Sequence, residues 1–281
     1  MHDLALSLTR HSLIHFILYN SVMLTTLFSR KWRVATILVI IAIGVQVRLA
    51  VWQLERLQER RDYNARVQAQ LDQPPLPLEA STPSGDLSHM EYRSVVVRGE
   101  FDSTQEVALR GQSWNGKLGA RLLTPLRIAG SDRAVLVDRG WIPYEETENG
   151  RWPHYAQPGV VTVRGQIRAS RSQTGLGFRS DPTPVPGERL TAWNQANVEA
   201  IGAQTPYPLL PVYIQQAPEP DPDTVLPYAG LSPLDLSVGS HLGYAGQWFM
   251  FAIVFAVGYL VFVRHQLREA AQRQAEPDRD G

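Results

Sequence analysis

The chain has 281 residues, and its 27 basic and 27 acidic side chains give a formal net charge of zero. A balanced charge provides no basic footprint for nucleic acid, so we expect no nucleic-acid partner. The absence of cysteine excludes disulfides, thiolate metal sites and thiol redox chemistry. The hydrophobic content of 44% is ordinary for a globular protein, but the apolar residues concentrate in two blocks near the ends.

Residues 1–31 precede the first strongly apolar block, and we expect them to form a cytoplasmic N-terminal extension. The stretch Leu4–Leu27 is moderately apolar but carries basic and amide side chains. No convincing small-residue cleavage site of a signal peptide precedes Trp32. Two interpretations remain open: the true start is Met23, or the first residues form an amphipathic extension.

Residues 32–52 are predicted to form a first transmembrane helix. The segment Val34–Val47 is almost wholly apolar, and it reaches spanning length if Arg48 snorkels to the interface. Trp32 and Trp52 then lie about 30 Å apart along a helix. This separation places one tryptophan in each interfacial belt of a bilayer.

Residues 241–263 are predicted to form a second transmembrane helix, followed by a cytoplasmic tail over residues 264–281. The run Tyr244–Val263 has no charged residue and approaches the roughly 20 residues that cross the hydrocarbon core. Arg264 and Arg268 follow it, whereas no lysine or arginine lies between Arg189 and Arg264. The positive-inside rule therefore predicts that both termini are cytoplasmic and that the intervening domain is extracytoplasmic. A buried core helix is the alternative.

Residues 53–240 are predicted to form a mainly-β (α+β) extracytoplasmic domain, an antiparallel sheet or small barrel flanked by the two transmembrane helices. A charged helix over Leu54–Leu71 opens the domain, and Ala196–Ala203 is a second short helix. Pro206–Pro227 is predicted to be a loop-rich connection back to the membrane. Alternating apolar and β-branched residues predict five strands: Tyr92–Gly99, Gln105–Arg110, Arg121–Ile128, Arg133–Asp138 and Val160–Ile167.

The usual catalytic motifs are missing, so we do not expect an enzyme. The sequence has no G-x-S-x-G elbow, no H-E-x-x-H pair and no nucleotide-binding fingerprint after a strand. The glycines around Lys117 are better explained by a hairpin turn than by a phosphate cradle. Two alternatives are an exported hydrolase, for which the sequence has no recognisable nucleophile–base pair, and a membrane-tethered sensor, for which the short charged tail after Arg264 leaves no room for an output domain.

Two interfacial motifs carry the candidate site. His241, Tyr244 and Trp248 fall on one face of the second span, at the outer interface. Trp52 and Arg56 lie four residues apart at the outer end of the first span. Interfacial anchoring explains the aromatic residues, and lipid phosphate explains Arg56. The alternative is that the His241 imidazole ligates haem iron, with Arg56 on a propionate and aromatic rings over the porphyrin.

A third motif, Val135–Pro143, reads V-L-V-D-R-G-W-I-P, an apolar strand that ends in a charged turn. We expect Asp138 and Arg139 to form a local ion pair and Trp141 to fill the core. Together with W-Q-L-E-R after the first span and H-L-G-Y-A-G-Q-W-F at the second, it resembles the surfeit locus protein 1 family. The resemblance runs in order from about Trp32 to Arg264.

Membership of this family would imply a role in assembling haem–copper cytochrome c oxidase, with haem a held for the catalytic subunit. On that view His241 matches the family's membrane-entry histidine. The implied partners are the oxidase catalytic subunit, the lipid bilayer and an enzyme of haem a synthesis. A haem-independent scaffold for nascent oxidase subunits is the rival function. We expect a bacterial plasma membrane in preference to the mitochondrial inner membrane, because an arginine-rich, acid-free leader is missing.

Overall fold

A computed structural model describes residues 27–82, 87–147, 152–172, 180–182, 187–218 and 225–275. The expectation for the extension over residues 1–31 therefore falls largely outside the described residues. The chain divides into two compact units, one formed by Met1–Tyr63 with Ser237–Gly281 and the other by Asn64–Leu236. In chain order the helices and strands are α1 (Arg33–Leu71), β1 (Leu76–Leu78), β2 (Ser94–Phe101), β3 (Val107–Trp114), β4 (Lys117–Ile128), β5 (Ala134–Pro143), β6 (Val160–Ala169), β7 (Ala192–Trp193), α2 (Val198–Gly202), β8 (Leu209–Gln216) and α3 (His241–Ala275).

Helices α1 and α3 are each long and apolar enough to cross a membrane. Only 17% of the most apolar window of α1 and 11% of that of α3 is buried within the protein. A soluble core helix would bury such a window, so the exposed apolar surface indicates a membrane protein. Helix α1 also confirms that the apolar segment and the charged segment Leu54–Leu71 form one continuous helix.

The two long helices run antiparallel and contact each other near both ends of the apolar segments. At one end the Thr36 hydroxyl lies 2.7 Å from the Tyr259 hydroxyl. At the other end His241 Nδ1 lies 2.8 Å from Gln53 Oε1. The two contacts are separated by roughly five helical turns, or about 26 Å, which is close to the thickness of a hydrocarbon core. Alanines allow the close approach, because Ala50 and Ala245 are fully buried.

The second unit contains a closed five-stranded barrel. The barrel strands follow the order β2-β6-β8-β5-β4, and a pairing between β4 and β2 closes the ring. Strands β5 and β8 are parallel, whereas the other barrel pairs are antiparallel. All five strands predicted from the sequence are present as β2 to β6, which confirms the mainly-β domain. Of the two predicted forms, the pairing of β4 with β2 shows the small barrel. The turn before Lys117 is also confirmed, because Asn115 and Gly116 have positive φ and join β3 to β4.

The interpretation of Pro206–Pro227 as a loop-rich connection was wrong in its centre, where β8 supplies a barrel strand. Proline lacks the N–H that a ladder needs, so it is tolerated only at edges or irregularities. Pro211 is exposed and lies where the register between β5 and β8 shifts. The buried side chains of Val212 and Ile214 hold the strand in the barrel despite this proline.

The barrel interior is apolar and tightly closed. Fully burying one valine, leucine or isoleucine side chain contributes about 1.5–3 kcal/mol, so the apolar interior stabilises the barrel strongly. Helix α2 covers a second apolar cluster, in which Val198 and Ile201 pack with Val107, Leu123 and Leu136. The interior is formed by residues from all five barrel strands, among them Val95, Val97, Leu126, Val135, Val137, Val163, Ile167, Val212 and Ile214.

Candidate functional site

His241 is the first residue of α3, and its imidazole is half-buried at the end of the helix pair. Its Nδ1 atom is hydrogen-bonded to Gln53 on α1 at 2.8 Å. Gly239 lies on the other side of the ring, because a Cβ atom built on it would lie 3.5 Å from Nε2. The ring therefore has one nitrogen engaged by a side chain and the other beside a residue with no side chain.

Trp52 and Arg56 are brought together one turn apart on α1. The Arg56 guanidinium lies 5.8 Å from the centroid of the Trp52 ring, and it also pairs with Glu59 at 2.6 Å. Both ends of that ion pair are more than half exposed, so the pair contributes little to stability. The guanidinium remains accessible to a further anion.

Tyr244 and Trp248 follow His241 at three and seven residues along α3. The Tyr244 side chain is half exposed, whereas Trp248 is half-buried and packs edge-on against Phe251 at 6.0 Å. An exposed aromatic ring near the end of an apolar helix is typical of a membrane interface. It also offers a flat surface to a planar ligand.

Of the predicted site residues, Trp52 and Arg56 contact each other, whereas His241 contacts Gln53, which was not predicted. Among the contacts recorded for the described residues, none joins Trp52 or Arg56 to His241, Tyr244 or Trp248.

Gln53 was not predicted as a site residue, although it stands in the W-Q-L-E-R motif. A signal for it is present in the sequence. Gln46, Ala50, Gln53 and Leu57 are spaced as the contact positions of a coiled coil, and three of them are buried while Gln53 is half-buried. The spacing places Gln53 on the helix-facing side of α1.

The imidazole fits a haem iron by the chemistry of its donor atom. Neutral histidine nitrogen is a common axial ligand, and a partner on the other ring nitrogen is typical of metal-binding histidines. No group of three or more histidine or acidic side chains within the described part of the chain is arranged to hold a bare metal ion. A ligand that brings its own equatorial nitrogens, such as a porphyrin, needs only one such side chain.

The third motif, on β5, forms buried ion pairs inside the barrel domain. Asp138 and Arg139 do not pair with each other, contrary to expectation. Asp138 accepts hydrogen bonds from Arg121 at 2.6 and 2.8 Å, while Arg139 pairs with Glu106 at 3.2 Å. A register shift between β4 and β5 falls at Arg139, and successive strand residues point to opposite faces, so the two side chains diverge. Trp141 is buried as expected and stacks on Tyr228 at 6.0 Å.

Burial shifts the titration of these acidic groups. Desolvation raises the pKa of Glu106, although its hydrogen bond with Thr124 and the charge of Arg139 oppose the shift. Desolvation likewise raises the pKa of Asp138 against the opposing effect of Arg121. Shifted carboxyl groups can mark a functional site, but structural ion pairs produce the same shifts.

A cleft lies beside Glu106, and Trp152 and Arg189 also line it. Its Glu106 and Arg189 side chains are already hydrogen-bonded within the protein. The Glu106 carboxylate is bonded to Thr124 and Arg139, and the Arg189 guanidinium donates to three backbone carbonyls, among them that of Gln105. These groups serve the barrel fold, and the helix pair remains the better candidate site.

Comparison with known proteins identifies the family. A model of the SURF1 family matches residues 40–253, which is most of the chain and includes both motifs of the helix pair. A SURF1-like protein of Monosiga brevicollis is 26% identical over 241 residues, covering 82% of this chain and 88% of that protein. A SURF1-like protein of Rickettsia felis is 26% identical over 237 residues, covering 82% of this chain and 96% of that protein.

A third relative carries a more specific name. The cytochrome oxidase assembly protein SHY1 of Saccharomyces cerevisiae is 32% identical over 98 residues, covering 35% of this chain and 25% of that protein. The order of the motifs, the two long apolar helices around a β domain and the extent of the family match all agree. The chain belongs to the SURF1 family.

Proposed function

We propose that this protein is a membrane-anchored assembly factor for haem–copper cytochrome c oxidase, acting without catalytic turnover. The family match and the name of the yeast relative support the assembly role. The two apolar helices, each long enough to cross a membrane, support a location in the bilayer of its client. The partners in this proposal are the oxidase catalytic subunit, which receives the cofactor, and an enzyme of haem a synthesis, which supplies it.

The proposal assigns the helix pair to haem a. His241 would hold the haem iron, and the observation that carries this assignment is the hydrogen bond between its Nδ1 and Gln53, which leaves Nε2 for iron. The haem iron supplies the electrophilic centre that an imidazole nitrogen binds. Tyr244, Trp248 and Trp52 provide aromatic surface for the porphyrin, and the exposed Arg56 guanidinium pairs with a propionate.

Absorbance spectroscopy of the full chain tests the haem site. Wild-type protein in nanodiscs, loaded with haem a, is compared with His241→Ala and with His265→Ala. His265 is a matched control, because it lies exposed on the same helix and pairs with Glu269 one turn further along α3. We expect His241→Ala to lose the spectrum of histidine-ligated haem and His265→Ala to keep it. An unchanged spectrum in His241→Ala would remove that residue from the site.

A deletion strain tests the assembly role itself. We expect membranes of the strain to lose the a-type haem bands of the oxidase selectively in a reduced-minus-oxidised spectrum. The wild-type gene should restore them, and the His241→Ala gene should not. Intact bands and normal oxygen consumption in the deletion strain would contradict the assembly role.

The proposed topology places the barrel domain outside the cytoplasm of a bacterial cell and both termini inside. Arg264 and Arg268 follow the second span, and this cytoplasmic charge supports the orientation. The chain has no cysteine, so single cysteines report sidedness cleanly. A membrane-impermeant maleimide should label Leu118→Cys in intact spheroplasts and label His265→Cys only after lysis. The reverse pattern would invert the topology.

A second function, a haem-independent scaffold that binds nascent oxidase subunits, is favoured by one surface of the barrel domain. Leu118 is 71% exposed on the β3–β4 hairpin, and Tyr144 is 61% exposed beside the end of β5. Exposed apolar and aromatic side chains of this kind are typical of protein-binding surfaces. Co-purification of the catalytic subunit from cells unable to make haem a, unaffected by His241→Ala and lost in Leu118→Asp, would favour this scaffold.

A further inference from the structure

The contact between Gln53 and His241 is a hydrogen bond from one long helix to the other. His241 Nδ1 and Gln53 Oε1 are 2.8 Å apart, and both side chains are half-buried. Each residue lies at the end of an apolar stretch, where the local dielectric is lower than in water. A hydrogen bond in such surroundings is stronger than an exposed one, so it can fix the position of the ring.

The bond also decides which ring nitrogen carries the proton. A carbonyl oxygen of an amide can only accept, so the bond requires a proton on Nδ1. Neutral imidazole has one protonated nitrogen and one lone pair, which then lies on Nε2. A histidine side chain in water prefers the opposite arrangement, with the proton on Nε2. Gln53 therefore reverses the intrinsic preference of the ring.

The space beside Nε2 is kept free by Gly239, two residues before the helix begins. Gly239 has a φ of +67°, which an L residue adopts only with strain. A side chain there would begin 3.4 Å from Cδ2 and 3.5 Å from Nε2. Glycine thus leaves room on the same side of the ring that bears the lone pair.

We propose that Gln53 is a positioning residue that holds His241 in the Nδ1-protonated tautomer, so that Nε2 faces the haem ligand beside Gly239. This inference rests on the proposed function, because it assigns a purpose to the lone pair. The tautomer is nevertheless a property of the protein without haem, and it can be measured separately.

Nitrogen-15 NMR of the full chain in nanodiscs, without haem and at a pH where the ring is neutral, measures the tautomer. His241→Ala identifies the resonances of the ring among the seven histidines. We expect a protonated Nδ1 in the wild type, a reversal toward protonated Nε2 in Gln53→Met and a return to protonated Nδ1 in Gln53→Glu. Gln58→Met is the matched control, because Gln58 lies on the same helix, is exposed and bonds to Asp62 one turn further along α1.

Loading with haem a gives the second measurement. Loss of a histidine's supporting partner typically weakens metal affinity by about 10–100-fold, so we expect Gln53→Met to bind at least about tenfold more weakly. Its iron should also have a higher reduction potential than the wild type, and Gln53→Glu a lower one, because the glutamate makes the imidazole a stronger electron donor. Gly239→Ala should keep the tautomer and lose affinity.

The two measurements fail in different ways. A wild-type ring protonated on Nε2, or a tautomer unchanged in Gln53→Met, overturns the positioning role even if His241 binds haem. Unaltered haem binding in His241→Ala overturns the proposed haem site, and the positioning role falls with it. The expected tautomer shift together with the paired potential shifts supports both.

Discussion

The barrel domain and the helix pair both bury polar side chains, but they bury different kinds. In the barrel domain most of the buried polar groups are charged, and four of them form the ion pairs Arg121 with Asp138 and Arg139 with Glu106, beside the neutral Thr124 and Gln215. In the helix pair the recorded contacts between α1 and α3 join neutral groups, Thr36 with Tyr259 and Gln53 with His241.

This difference follows from the surroundings of each unit. Ion pairs can be buried in a protein interior only when further hydrogen bonds satisfy them, and Arg121 meets this condition by donating also to the carbonyl of Gly230 at 2.9 Å. Charges at membrane depth are far more costly, whereas neutral hydrogen bonds between helices are tolerated and modest. Polar groups in the barrel therefore hold the fold, while those of the helix pair can be given to a ligand at small loss of stability.

Breaking a buried ion pair in the barrel should cause the largest loss in the free energy of unfolding. Asp138→Leu leaves the buried Arg121 guanidinium without its carboxylate, and we expect a loss of about 3–5 kcal/mol in the free energy of unfolding. Pulse proteolysis of the full chain in nanodiscs across a urea series measures it. The double variant Arg121→Met with Asp138→Leu should recover most of the loss, since it removes both charges. A single variant as stable as wild type would contradict the structural role of the pair.

Substitution of glycine by alanine tests how tightly each unit is packed. A Cβ at Gly165 on β6 would lie 2.3 Å from the carbonyl oxygen of Gln215, so Gly165→Ala must push two barrel strands apart. Overpacking of this kind costs about 1–3 kcal/mol. Gly44 on α1 has nothing within 4 Å of a built Cβ, so Gly44→Ala is the matched control and should be neutral or slightly stabilising. The same urea series compares them, and equal losses would contradict the packing argument.

The sequence predicted the layout of both units but not the partners inside them. Apolar length and alternation depend on local residues, so the two long helices, four of the five barrel strands and the hairpin strand β3 followed directly from them. The short strands β1 and β7 and the barrel strand β8 were not predicted. Their pairing depends on residues that are distant in the sequence, and the proline within β8 argues against a strand. The ion pair between Asp138 and Arg121 was also missed. It depends on the register of β4 against β5, and the sequence does not reveal the register shift at Arg139.

Within the candidate site, sequence spacing placed His241, Tyr244 and Trp248 on one helix and Trp52 with Arg56 on the other. It did not identify Gln53, because an amide between an aromatic and an aliphatic residue has no distinctive chemistry until the opposing helix is known. The contact between residues 188 positions apart exists only once both helices are antiparallel neighbours.

The pH dependence of stability offers a gentler way to probe the barrel. Burial raises the pKa of Glu106 above its ordinary value of 4.5. A raised pKa means that the folded barrel keeps a proton that the unfolded chain has released. Glu106 therefore contributes its full stability below about pH 4.5 and loses it as the pH rises through the folded pKa. The change in the free energy of unfolding should be smaller than that caused by Asp138→Leu, because Glu106 keeps Thr124 and Arg139 as neighbours whether its carboxyl group is protonated or ionised.

Glu106→Gln isolates this effect. The variant has no charge to lose, so its unfolding free energy relative to wild type should increase as the pH rises through the folded pKa. At low pH the two proteins should be similar, because wild-type Glu106 is then protonated too. Glu145→Gln, with an exposed carboxylate, controls for the removal of one charge. A constant difference across the titration would contradict the raised pKa.

The hydrogen bond between Thr36 and Tyr259 should give the smallest effect, and it tests the helix pair directly. Double-mutant cycles on hydrogen bonds between membrane helices average about 0.6 kcal/mol, because the separated helices find other partners. We expect Thr36→Val and Tyr259→Phe to couple by about that amount. The cycle can be followed by detergent-driven separation of dyes on Val34→Cys and Val261→Cys, both of which are exposed. A coupling as large as the loss in Asp138→Leu would mean that the helix pair depends on its polar contacts as the barrel does. In that case Gln53 and His241 would be needed to hold the helices together, and they could not bind a ligand without a large loss of stability.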